Sequence, residues 1–96
     1  MREVWLRRAV STLYYGVLHE VIAFLEEGGV RVNRNYRVHE TVRTLLSNRI
    51  PKAGIWMGKL HKLRTFADYD IDKPFTYSDY KNALQLAKLV LREVGR

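Results

Sequence analysis

A chain of 96 residues with 47% apolar content suits one small domain, residues 1–96, able to bury about 60–65% of the surface of its unfolded chain. The absence of cysteine excludes a disulfide frame and thiolate chemistry, and fits a cytoplasmic protein. No apolar run approaches the roughly 18 residues that span a bilayer, so no membrane association is expected.

The first helix is expected from about Arg2 to Glu27. Its opening, MREVWLRRAVSTLYYGVL, has a basic start and an apolar continuation, but Glu3 and the lack of a small-residue cleavage site favour a buried helix over a leader. Val10, Leu13, Tyr14, Val17, Leu18, Val21, Phe24 and Leu25 form a wide apolar arc, as in a helix touching two neighbours. Arg8, Thr12, Tyr15 and His19 make a polar stripe on the opposite side. Gly28-Gly29 supplies the left-handed stop of a helix C-terminus.

Val30 to Arg37 reads as a basic loop, and a short helix follows from His39 to Asn48, with Val38, Val42, Leu45 and Leu46 inward and Arg43 outward. Pro51 separates it from a third helix, about Ala53 to Tyr69, whose Gly54 and Gly58 suggest the close approach of a neighbour. Asp70 to Phe75 is a loop. Thr76-Tyr77-Ser78-Asp79 resembles a capping box, and Tyr80, Leu84, Ala87, Leu91 and Val94 form the stripe of a last helix. The expectation is an all-α, antiparallel, up-and-down bundle of three long helices and one short one.

The net charge of +7 is concentrated in one region: residues 31–64 hold nine basic side chains against Glu40 alone. That density favours a polyanion such as the phosphates of RNA or a nucleotide; the plainer alternative is a solvated face or a dock for an acidic protein. Arg8, Arg34, Arg37 and Arg43, with Tyr15, His39 and Tyr69, are the candidate phosphate- and RNA-binding residues. On the third helix His61, Arg64 and Asp68 follow at i, i+3, i+7 beside an apolar stripe of Trp56, Leu60, Leu63 and Ala67. A cation can hold a phosphate and an imidazole can move a proton, so Arg64, Asp68, His61 and His19 are the candidate catalytic residues. The competing structural reading is a surface Arg64–Asp68 pair worth a few tenths of a kcal/mol, a solvent-facing His61, a helix-capping His39 and a structurally bonded His19. With no cysteine and no His pair at i, i+4, no metal site or other cofactor is expected. The short apolar helix between Arg43 and Arg49 argues against a DNA-reading helix-turn-helix.

LYYGVLHEVIAFLEEGG, then a lone His39 opening a short helix, then LRTFADYD before a final amphipathic helix, resembles the HEPN superfamily (higher eukaryotes and prokaryotes nucleotide-binding domain), especially its small prokaryotic members. The likeness runs from about Trp5 to Val94 and rests on Tyr14-Tyr15 with His19, on His39, and on Arg64 with Ala67-Asp68-Tyr69. It implies a helical bundle, a homodimer with a cleft at its interface, and RNA or nucleotide binding. It also implies metal-independent ribonuclease activity in a toxin–antitoxin-like pair, with a minimal nucleotidyltransferase as partner. The family's site is an Arg followed four to six residues later by His near the third-to-fourth helix junction; here Arg64 is followed by Asp68 and Tyr69 instead. Arg34 to His39 reproduces that spacing elsewhere, at a frequency that chance explains. Relatives carry a further helix before the first one here. Its absence is expected to leave the arc around Tyr14, Leu18 and Val21 facing water, which dimerisation would cover. In the second reading the chain is a non-catalytic subunit that binds a nucleotidyltransferase or similar partner, with ADYD as a structural lock or, instead, Asp68, Asp70 and Asp72 as an acidic dock for a basic surface.

Overall fold

Four helices form in the order α1 (Arg2–Glu27), α2 (Val38–Arg49), α3 (Pro51–Tyr69) and α4 (Tyr77–Glu93). The computed structural model describes residues 2–96, and Met1 lies outside them. Among the described residues there is no strand, and no helix is long and apolar enough to cross a membrane.

The helix ends follow local chemistry. Gly29 adopts φ +89°, and Val30 N–H donates to Leu25 O at 3.0 Å while Gly29 N–H donates to Glu26 O at 3.0 Å, closing α1 with a left-handed cap. Ile50 alone separates α2 from α3. Its N–H closes α2 on Leu46 O at 2.7 Å, and its carbonyl opens α3 by accepting from Gly54 N–H at 3.1 Å. Proline is therefore the first residue of α3 rather than a spacer before Ala53, because its fixed φ and missing N–H suit that position. The capping box of α4 forms in both directions: Asp79 N–H donates to Thr76 Oγ1 at 3.1 Å and Thr76 N–H to Asp79 Oδ2 at 2.9 Å.

Cross-helix contacts fix the directions. Arg7 meets Ala67 and Tyr15 meets Arg64, so α1 and α3 are antiparallel. Ser47 faces Gly54 and His39 faces His61, so α2 and α3 are antiparallel too. Lys52 pairs with Glu93 while Phe66 packs on Phe75, which orients α4 against α3. Thus α3 opposes all three other helices. The expected up-and-down order departs at one step: α2 starts beside Tyr14 and ends beside Gly28, parallel to the second half of α1. Returning from Gly28 to the level of Tyr14 covers about 21 Å of helix, within reach of the loop 28–37, which spans about 30 Å when extended.

One apolar cluster unites Val10, Tyr14, Val17, Val21 and Leu25 of α1 with Val42 and Leu46 of α2, Ala53, Met57 and Leu60 of α3, and Ala83, Ala87 and Val90 of α4. The radius of gyration, 13.3 Å, is near the ~13 Å of a compact domain this size. Two expectations change. The line of α4 that is fully buried is Ala83, Ala87, Val90 and Val94, with Tyr80, Leu84 and Leu91 half-exposed at its sides. Small side chains occupy the line where α1 and α3 converge on α4. The arc around Tyr14, Leu18 and Val21 does not face water either: their exposures are 1%, 3% and 0%, because α2, α3 and α4 all pack on α1. The unpartnered patch offered as the reason for dimerisation is absent.

Arg7, buried at 8% exposure, pins the end of α3. Its Nη1 donates to Ala67 O at 2.9 Å and Phe66 O at 3.2 Å, while Nη2 donates to Asp70 O at 3.3 Å and to Lys73 O. A guanidinium on these carbonyls adds a charged donor at the end of α3, where Phe66 O also accepts from Asp70 N–H at 3.1 Å, and it opposes the negative end of the helix dipole.

Candidate functional site

The opposed course of α1 and α3, with the first turn of α2 inserted beside them, brings six polar side chains together. Tyr14 and Tyr15 come from the middle of α1, His39 from the start of α2, and His61, Arg64 and Asp68 from one edge of α3. The His39 and His61 rings lie with centroids 5.4 Å apart, and Tyr14 is 5.5 Å from each. Tyr14 Oη is 2.8 Å from His39 Nδ1. Packing thus joins two imidazoles that are distant in sequence, and neither is merely a cap or a solvent-facing ring.

Arg64 sits behind them, its side chain only 12% exposed. Its Nη2 donates to Tyr15 Oη at 2.9 Å, and its Cζ lies 5.2 Å from the Tyr15 ring centre, 5.6 Å from Tyr69 and 5.9 Å from Tyr14. Asp68 Oδ2 is 2.9 Å from Arg64 Nε and accepts from Ser11 Oγ at 3.3 Å. The carboxylate lies against the guanidinium, but the Nε–H does not aim at it, and that buried donor has no hydrogen-bond acceptor among the described residues. This enclosed, three-tyrosine setting differs from the surface ion pair considered above. It also holds Arg64 in place, so its charge reaches the imidazoles as a field.

The electrostatics follow from this crowding. Burial pushes the Tyr14 phenol up to about 12. His39 titrates below the ordinary imidazole range because burial penalises its cation and Arg64 repels it. His61 is lowered by burial, then by His39, Arg43 and Arg64. A phenol that keeps its proton this firmly is assigned as the donor to His39 Nδ1, which leaves the proton of neutral His39 on Nε2.

The two imidazoles line an open hollow of ≈ 610 Å³ with Tyr36, Arg37, Glu40 and Arg43. It lies between the start of α2 and α3. Arg37 stacks on Tyr36 at 5.5 Å, and Arg43 is half-buried at the rim. Arg34 turns away to form two 3.2 Å bonds with Glu26, so the Arg34-to-His39 spacing brings no arginine to its histidine. Arg8 lines a separate hollow with Trp5 and Tyr80 against α4. His19 is exposed and makes no hydrogen bond or ring contact among the described residues. The candidates therefore split: His39, His61, Arg37 and Arg43 share the hollow, Tyr15, Arg64, Asp68 and Tyr69 form its backing, and His19, Arg8 and Arg34 stand apart. Tyr14, read from sequence as part of the core arc and of the family resemblance but not as a site residue, is the one missed. The available signal was that a tyrosine inside an apolar arc must still find a partner for its hydroxyl.

Among the described residues no three His, Cys, Asp or Glu side chains gather as a metal-binding group. Comparison with family models, curated proteins and solved structures finds no match to this chain.

Proposed function

We propose that the chain is a HEPN-like, RNA-binding module of a toxin–antitoxin-like system, in which His39 and His61 form a proton-transfer pair acting on a phosphodiester. The observation that carries this reading is the 5.4 Å pairing of the two imidazoles at the wall of a hollow rimmed by Arg37 and Arg43. Neutral His61 takes the proton of a ribose 2′-hydroxyl as its oxygen attacks phosphorus. Protonated His39 delivers a proton from Nε2 to the departing 5′-oxygen as the P–O5′ bond breaks. The products are a 2′,3′-cyclic phosphate and a 5′-hydroxyl, with one proton accepted and one donated. Burial and, after it, repulsion by neighbouring cations keep both imidazoles deprotonated; a bound phosphate opposes this by stabilising the imidazolium, so substrate itself favours loading the acid. Arg37 and Arg43 are the free cations that hold the phosphate, and Tyr14 sets the ring orientation of His39.

The test is cleavage of mixed-sequence RNA in EDTA by the parent chain and by the His39→Gln and His61→Gln variants. The reading expects cyclic-phosphate ends from the parent and a loss of about 10²–10⁴-fold in each variant. An inactive parent, or variants as active as the parent, overturns it.

A second reading is supported by the enclosure of Arg64 together with the exposed segment that follows it. With Arg64 neutralised by Asp68, the chain serves as a non-catalytic subunit, and exposed Tyr69, Asp70, Ile71 and Asp72 dock a nucleotidyltransferase. Co-purification with such a partner, without salt-sensitive RNA binding, favours this reading over the first.

A further inference from the structure

Two further hollows continue from the histidine pair, and they share walls. Arg43 lines both the His39–His61 hollow and a groove of ≈ 570 Å³ between α2 and α3. Lys59 and Lys62 line that groove and also a third hollow, ≈ 430 Å³, reached by Asn82 and Gln85 of α4. The three form one path across the α2–α3–α4 face.

On the α3 side the groove is lined by Gly54 and Gly58, with the exposed side chain of Ile55 beside them. A Cβ on Gly54 would stand 2.7 Å from Ser47 Cα, so the two helices touch there, and Gly58 lets the Arg43 stem lie across it, 3.4 Å from where its Cβ would be. No carboxylate lines the second or third hollow. Among the described residues Arg43, Lys59 and Lys62 have no ion-pair partner, whereas Arg7, Arg34, Lys52, Arg64 and Arg96 all do. Unpaired cations beside two glycines, with hydroxyl and amide groups of Thr44, Ser47 and Asn48 and the apolar side chain of Ile55, fit a chain of phosphates with sugar and base edges beside it. At the histidine end Tyr36, over whose ring Arg37 lies at 5.5 Å, is still 86% exposed and offers an aromatic surface on which an unpaired base can stack.

We propose that this groove is the track for single-stranded RNA flanking the bond held at His39 and His61, with Arg43 at the junction and Lys59 and Lys62 on successive phosphates. The proposal rests on the reading of the histidine pair as a phosphodiester site, and it adds the substrate class: a strand of several unpaired nucleotides.

The experiment compares the full-length parent with the double variant Lys59→Ser/Lys62→Ser and, as a charge-matched control, Lys81→Ser/Lys88→Ser on α4. Binding of a labelled 12-nucleotide single strand is followed by anisotropy across a KCl series, and turnover of a dinucleotide is measured beside it. The groove variant should lower the slope of log K against log salt by about 1.4, or ~0.7 per lost phosphate contact, and weaken oligonucleotide binding at least tenfold at 0.1 M KCl. The control should bind like the parent, and dinucleotide turnover should be unchanged in both. Equal weakening by the control, an unchanged slope in the groove variant, tighter binding of the corresponding duplex, or equal binding of poly-glutamate would each overturn the track. If the parent turns over the dinucleotide but the groove variant binds like the parent, the track fails and the histidine reading stands. If the parent neither binds nor cleaves, both fail.

Discussion

Tyr14 and His39 are joined by a 2.8 Å bond between Oη and Nδ1, which couples the middle of α1 to the first turn of α2. One buried phenol thereby does two things: its ring fills the core at 1% exposure, and its hydroxyl orients an imidazole at the surface of the hollow. Tyr14→Phe separates them. The ring stays, so the loss of stability should be about 1 kcal/mol, the net worth of one hydrogen bond. His39 loses its fixed tautomer, and long-range ¹H–¹⁵N spectra should show its proton shared between the two nitrogens instead of resting on Nε2. An unchanged spectrum would mean that the bond does not set the ring's state.

Stability should fall on mild acidification. His39 and His61 both titrate below the ordinary 6.5 in the folded chain, so the unfolded chain binds more protons between the folded and unfolded pKa values. Above about 6.5 both imidazoles are neutral in either state and contribute nothing. As pH drops through 6.5 toward the folded values, stability is progressively lost. The double variant His39→Gln/His61→Gln should flatten the melting-temperature profile over that window, as read by thermal melts from pH 7.5 to 5. A profile as steep as the parent's would place the titration elsewhere.

Arg7 should matter more to stability than any other charge. Its guanidinium serves the carbonyls of Phe66, Ala67, Asp70 and Lys73 from one buried position. Arg7→Ala should cost about 2–4 kcal/mol, since one buried and three partly buried acceptors lose a charged donor at once. Arg7→Lys should recover only part of this, because an ammonium cannot fork across two pairs of carbonyls. Urea denaturation of the three proteins checks both statements, and full rescue by lysine would show that charge alone suffices.

Gly54→Ala should destabilise despite the better helix propensity of alanine. The gain in propensity is about 1 kcal/mol, while the new methyl meets the Ser47 backbone and forces α2 and α3 apart. A net loss of about 1–2 kcal/mol is expected, or a drop in Tm of roughly 4–16 °C. Gly58→Ala meets only the Arg43 Cδ at 3.4 Å, an ordinary contact, and should be neutral or stabilising. Opposite signs at the two glycines, measured by calorimetry, separate close packing from flexibility.

The elements of this fold were readable because each is punctuated by strong local chemistry: Gly29 at the end of α1, Pro51 at the start of α3, Thr76 with Asp79 at the start of α4. Direction was less readable. Nothing local in Val30 to Arg37 says that the loop carries α2 back to the level of Tyr14, because that course is set by the pairing of Ser47 with Gly54 and of His39 with His61. The same holds for the site. The polar edge of His61, Arg64 and Asp68 was visible as a spacing, whereas its partners lie on other helices and are selected by packing. Arg7 shows what periodicity could have offered and did not: at i−3 from Val10 and i−7 from Tyr14, it occupies the buried arc, where a cation must have an acceptor.

The most direct test of the paired imidazoles is an NMR titration of the His39 and His61 ring protons, free and with a saturating 3′-nucleoside monophosphate. Two coupled transitions below pH 6.5 are predicted in the free protein, both moved upward when the phosphate occupies the hollow between Arg37 and Arg43. Two independent transitions at the ordinary imidazole value, indifferent to the added phosphate, would contradict the pairing.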